Sequence, residues 1–248
     1  MSEKLVEFSG VAVTVTGVYG ILSVIVLLLF MSWWLLNRKK RTRKPVFAGQ
    51  VVNGIGFGLL PALAFLKLFQ DPPAGKVAEV IEPLPQIRWL CEEGCYRPMR
   101  IEAAAALFLF ILVCLWLIVR KEELPDNGDL LLITVCLWSA IRLVTEDFRS
   151  EPLILFHCTS SAAIMMCLIM WTVRRKKISR MPIRTAIDLI AVTTCLTLNI
   201  LTMSGVFSGG SSIADFAIKT GCGLLAVLLT LFAGSDVRRM KEKYNQPG

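Results

Sequence analysis

The sequence predicts an all-α, polytopic membrane helix bundle of seven transmembrane helices, with the N-terminus outside and the C-terminus inside. Three observations predict it. Of 248 residues, 55% are hydrophobic and only 19% charged, too few polar side chains to cover a water-facing surface. Seven apolar stretches are each long enough for a crossing, which takes roughly 20 helical residues. The basic residues fall in short runs on alternate loops between those stretches. Lipid offers no partner for open backbone groups, so the stretches are expected to be helices.

The expected spans are 11–36, 47–69, 101–119, 130–147, 153–173, 184–204 and 213–234. The first contains GILSVIVLLLFMSWWLL and is almost free of polar atoms. MSEKLVEF ahead of it is not basic, and the apolar run is too long for a cleavable signal, so this span is expected to be its own insertion signal. The second carries Gly54, Gly56, Gly58 and Pro61, and glycines in such a helix are expected to permit close packing. The fourth holds Arg142 and Glu146 within its apolar run.

Orientation follows from charge. The 37–44 loop, the 120–129 turn, the 174–184 loop and the tail after 234 hold six, two, six and four basic residues, eighteen of the 27. All lie on one side if the seven spans are real, and that side is the inner one. The formal charge of +8 is therefore read as a topology signal, not as a nucleic-acid surface. The sequence contains no P-loop and no nucleic-acid module, and no cofactor is expected.

Six cysteines, Cys114, Cys136, Cys158, Cys167, Cys195 and Cys222, fall inside spans and read as small apolar packing residues. Cys91 and Cys95 form CEEGC in the external 71–100 loop, where a disulfide and free thiols both stay open. A metal site is disfavoured, because no second pair and no histidine lie nearby. The 71–90 stretch has four of the eleven prolines and is expected to be an irregular loop with one short interfacial helix.

Ionisable side chains inside spans are costly, so each is a functional candidate. In IRLVTEDFRSEP, the residues Arg142, Glu146 and Arg149 are spaced i, i+4, i+7 and share one helix face. The fourth span runs outward, which puts the trio at its outer end. Asp147 and Glu151 flank it on other faces. Glu102 opens the third span from outside, preceded by Tyr96, Arg97 and Arg100. His157, the only histidine, lies about 8 Å below the outer start of the fifth span at about 1.5 Å per residue. Glu102, Arg142, Glu146, Arg149 and His157 are expected to share one outward pocket. Arginine presents a planar fork of donors matched to phosphate. Two arginines braced by carboxylates make an anion site at headgroup depth, suited to a phospholipid. The bland alternative is an Arg142–Glu146 intrahelical pair with Arg149 snorkelling to the interface and His157 a packed, hydrogen-bonded residue. Asp215 and Lys219 read as a neutralising pair.

At these residues the chain resembles the bacterial prolipoprotein diacylglyceryl transferase family. The likeness runs from PMRIEAAAALFLFILVCLWLIVRK through the turn at Gly128 to LWSAIRLVTEDFRSEP and the fifth span, residues 96–173. A fainter likeness extends back through VNGIGFGLLPALAFLKLFQD to TVTGVYG. The resemblance implies a multi-pass protein of the bacterial plasma membrane with a transferase-like core of five helices over 1–173. Two further helices and a basic tail over 174–248 would be additions to it. It also implies a reaction, moving diacylglyceryl from phosphatidylglycerol to the cysteine thiol of a lipobox preprotein. Arg142, Glu146 and Glu102 would be its catalytic residues, and Arg149, Arg100 and His157 would bind substrate. The chain departs from the family where Leu63 and Leu66 stand in place of an Arg and an Asn. Thr16-Gly17 is all that answers to a His-Gly-Gly segment, and His157 does not align with that histidine. These departures imply the alternative, a non-catalytic descendant that binds anionic phospholipid or a membrane partner.

Overall fold

The structure, a computed structural model, describes residues 4–8, 11–42, 48–69, 91–92, 95–96, 98–119, 128–146, 154–178, 182–204 and 212–245. In chain order these are β1 (Lys4–Phe8), β2 (Val11–Thr14), α1 (Val15–Thr42), α2 (Ala48–Phe69), β3 (Cys91–Glu92) and β4 (Cys95–Tyr96). Then follow α3 (Pro98–Val119), α4 (Asp129–Glu146), α5 (Ile154–Ile178), α6 (Pro182–Met203) and α7 (Ser212–Asn245). Among the described residues six helices are long and apolar enough to cross a membrane: Gly17–Asn37, Ala48–Phe69, Met99–Val119, Ile154–Arg175, Ile183–Thr202 and Ala217–Val237. By length and composition the chain is a multi-pass helical membrane protein.

One departure from the expected elements has a physical cause. The first span was expected from residue 11, but residues 11–14 form β2, antiparallel to β1 with Phe8 opposite Val11. VAVT is β-branched at three of four positions, which favours a strand once KLVEF is available to pair with it. The second hairpin pairs Cys91 with Tyr96 and Glu92 with Cys95. The Cys91 and Cys95 side chains lie outside the described residues, as does the 71–90 stretch. The six cysteines expected inside spans form no disulfide with one another, and Cys136, Cys167 and Cys195 are buried.

The chain divides into two compact units, Met1–Thr134 with Phe148–Glu151, and Val135–Asp147 with Pro152–Gly248. This division follows packing, whereas 1–173 and 174–248 mark the extent of a sequence likeness.

In the first unit, α2 packs against α1 and α3. Its glycines allow this. A Cβ on Gly54 would lie 2.9 Å from Met31 Cγ, and one on Gly58 would lie 2.7 Å from the Leu27 carbonyl oxygen, both on α1. Gly56 points elsewhere: its Cβ would lie 2.5 Å from the Leu131 backbone nitrogen at the start of α4. Phe57, between these glycines, stacks on Trp33 at 5.4 Å and meets Phe110 edge-on at 5.2 Å. The start of α4 is secured by the same helix. Gly128 takes φ 81°, a conformation glycine adopts without steric penalty. The Leu130 N–H, one of the unsatisfied donors of a helix's first turn, is accepted by Asn53 Oδ1 at 3.0 Å.

The second unit packs α5, α6 and α7 against one another. Trp171 is buried, and a Cβ on Gly234 of α7 would fall 2.6 Å from its indole. Buried hydroxyls in both units return their protons to their own helices. Thr134, Thr145, Thr202 and Thr230 each donate to the carbonyl four residues back.

Gly56→Val should lower the Tm in detergent, because overpacking against backbone costs about 1–3 kcal/mol. Gly221→Ala in α7 meets nothing within 4 Å and should leave Tm unchanged or raise it. Equal effects of the two would show that the α2–α4 approach is not close.

Candidate functional site

α4 is the helix that sequence composition distinguishes from the others. Asp129, Arg142 and Glu146 set it apart from the six apolar spans. Its burial fits that charge. Leu130, Ile133, Cys136, Ala140, Ile141, Leu143, Thr145 and Glu146 are all buried, and Arg142 is 8% exposed. By contrast α1 leaves Ile21, Leu29, Trp33 and Leu36 exposed, as a lipid-facing helix would. Charge placed in a membrane helix is expected to turn toward protein.

Arg142 and Glu146 face each other one turn apart, with Nη2 3.5 Å from Oε2 and the carboxylate fully buried. The guanidinium carbon also sits 4.3 Å from the centroid of the Phe156 ring on α5. A cation over an aromatic face gains electrostatic stabilisation that grows as water is excluded. Two contacts on different helices thus fix one planar fork of donors near the C-terminal end of α4.

The residue after Phe156 is His157, fully buried. Its Nδ1 lies 3.1 Å from Asn199 Oδ1 on α6. Asn199 Nδ2 in turn donates to the Lys219 carbonyl of α7 at 2.8 Å. α4 reaches the same place. A Cβ on Gly223 of α7 would lie 3.2 Å from Leu143 Cδ1 and 3.4 Å from Asn199 Nδ2. Arg142 with Glu146, and His157 with Asn199, both belong to the second unit.

The other expected site residues are described separately. Glu102 belongs to the first unit, where its buried carboxylate lies 3.1 Å from Lys67 Nζ of α2. Lys67 was passed over in the sequence as one of the scattered basic residues. The signal available was a lone lysine at the end of an apolar helix. Arg100 sits half-buried in the first turn of α3. Arg149 and the Asp215 side chain lie outside the described residues.

Asn199 was likewise missed, although it is the one amide in the sixth apolar stretch. A further cluster was read only as a topology signal. Arg175, 2% exposed, donates to Asp188 of α6 at 2.6 Å and lies 3.8 Å from Asp236 of α7. Arg184 also pairs with Asp236. Two of the basic residues in the 174–184 run thus join α5, α6 and α7. Among the described residues no three His, Cys, Asp or Glu side chains converge as a metal site would require.

The Arg142–Glu146 geometry makes a stability prediction. Removing one partner of a buried pair costs about 3–5 kcal/mol, and removing both charges costs much less. Arg142→Gln should lower Tm clearly, and adding Glu146→Gln should recover most of the loss. A double variant no more stable than the single would show that the two side chains are not coupled.

Comparison with family models, with curated proteins and with solved structures finds no match to this chain.

Proposed function

We propose that this protein binds the phosphate of phosphatidylglycerol through Arg142 and transfers its diacylglyceryl group to the thiol of a lipobox cysteine. The observation that carries this reading is the Arg142 guanidinium, buried in a membrane helix, facing Glu146 and seated on Phe156. The reaction class comes from the resemblance over 96–173.

In this reading α4 is a seventh crossing. Its eighteen residues reach about 27 Å at about 1.5 Å per residue, close to the thickness of a bilayer core. Seven crossings and the inner-side basic loops put the N-terminus outside, in the plasma membrane of a bacterium. Arg142 then lies one turn from the outer end of α4, at headgroup depth. Arg149 is the second proposed phosphate ligand.

Chemically, the thiolate sulfur attacks the glycerol carbon that carries the phosphate ester. The C–S bond forms as the C–O bond breaks, and the electron pair leaves with glycerol phosphate. Arg142 stabilises that departing oxygen charge, and a fixed donor in a water-poor site does so without reorganisation. Glu146 holds the guanidinium in place.

A second reading has its own support. Leu63 and Leu66 put apolar side chains on α2 where the family carries an Arg and an Asn. A descendant that binds anionic phospholipid or a membrane partner without chemistry accommodates them.

Arg142→Ala should weaken phosphatidylglycerol binding roughly 10- to 100-fold, the worth of a charge-assisted hydrogen bond of about 1.5–3 kcal/mol. Unchanged binding refutes the headgroup role. Expression in a strain deprived of its own diacylglyceryl transferase should restore lipoprotein maturation. Lipid binding without maturation favours the second reading.

A further inference from the structure

The end of the second unit where α5 finishes and α6 begins holds another buried guanidinium. Arg175 donates from Nη1 to Asp188 at 2.6 Å, which leaves Nε–H and Nη2–H on the other edge of the planar group. Both nitrogens are buried, and neither has a hydrogen-bond acceptor among the described residues. Asp236 stands 3.8 Å from Nη2, within ion-pair reach but beyond hydrogen-bond distance. One turn earlier on the same face of α5, the buried Trp171 Nε1–H also lacks an acceptor among those residues. Leaving a buried donor unmatched is costly, most of all on a charged group.

The two guanidinium donors form the bidentate fork that suits two oxygens of one phosphate. Charge favours the same ligand, since residues 174–188 and 234–248 carry ten Lys and Arg against three Asp and Glu. A topology signal accounts for an excess of charge, but it does not require an arginine buried where three helices meet. Basic pockets between membrane helices do take phospholipid headgroups. Arg175 closes the span Ile154–Arg175. Nineteen residues of α5 separate it from Phe156, about 28 Å at about 1.5 Å per residue. The fork is thus a bilayer's thickness from Arg142 and serves a different phosphate. The Trp171 indole lies one turn nearer the bilayer centre, where a diacyl lipid has its ester carbonyls and a free phosphate has nothing. Arg184, paired with Asp236 and 56% exposed, marks the side open to a headgroup. Arg175, Arg184, Asp188 and Asp236 all fall outside 96–173, so the likeness there implies nothing about them.

We propose that Arg175 and Arg184 bind the phosphate of an anionic phospholipid at the end of the second unit opposite Arg142, with Trp171 donating to an ester carbonyl of the same lipid. The phosphate accepts from Nε and Nη2 of Arg175 together and draws Arg184 from Asp236. Asp188 keeps Nη1 and holds the guanidinium plane. Asp236 bears the same charge as the incoming group and opposes it. This site is independent of the transfer reaction.

The full chain in detergent micelles is titrated with dioleoyl phosphatidic acid, and native mass spectrometry counts the lipids retained. Arg175→Lys keeps the charge beside Asp188 but not the fork, and should weaken binding here roughly tenfold. Arg184→Gln should weaken it by a similar factor. Asp236→Asn removes the opposing carboxylate and should tighten it. Phosphatidylcholine, which has no net charge, should bind more weakly, and equal binding overturns the anionic preference. Equal retention of phosphatidic acid by wild type, Arg175→Lys and Arg184→Gln overturns the proposal. Release of the lipid by excess inorganic phosphate assigns the fork to a soluble anion and overturns the lipid assignment. Loss of every bound lipid in Arg142→Ala overturns this site and leaves the headgroup role of Arg142 standing. A lone lipid kept in Arg142→Ala and lost in Arg175→Lys supports this site and overturns that role.

Discussion

The free energy of a charge in hydrocarbon organises this protein. A guanidinium or carboxylate facing lipid is unfavourable by several kcal/mol, so a helix that carries both is stable only where other helices cover it. α4 is that helix. Its ionisable residues Arg142 and Glu146 lie one turn apart and face each other, and the Phe156 ring covers the cation. Around them α4 is buried along most of its length, whereas α1 presents apolar side chains outward.

The same constraint recurs at other charged and amide groups inside the helices. Glu102 has Lys67 in the first unit, and Arg175 has Asp188 and Asp236 in the second. Asn53 accepts the first-turn Leu130 N–H, and Asn199 bridges His157 to the Lys219 carbonyl. Threonine hydroxyls are satisfied within their own helices. Backbone polar groups are already paired in helices, so the side chains are what remains to be matched. Glycines make the matching compatible with density. Gly54, Gly56 and Gly58 let α2 touch α1 on one face and α4 on another.

A reaction site follows from what such burial does to chemistry. Excluding water strengthens a fixed donor aimed at developing charge. The proposed phosphate ligand Arg142 contacts Phe156 on a second helix and faces Glu146 on its own.

Much of this was legible in the sequence because it depends on local quantities. Apolar run length determined six spans, and basic loops gave the expected sidedness. The i, i+4 interval placed Arg142 beside Glu146, since 3.6 residues per turn bring those positions onto one face. Even the departure at residues 11–14 had a local cue in its β-branched residues. What sequence spacing does not encode is which side chains from distant segments meet. Glu102 pairs with Lys67, 35 positions earlier in the chain. Asn199 lies 42 residues from His157, and the two side chains share a hydrogen bond. Periodicity reports the face a residue occupies. Its partner is set by how helices pack, and here that was decided by small residues at the crossings and by the cost of leaving a buried charge without an opposite.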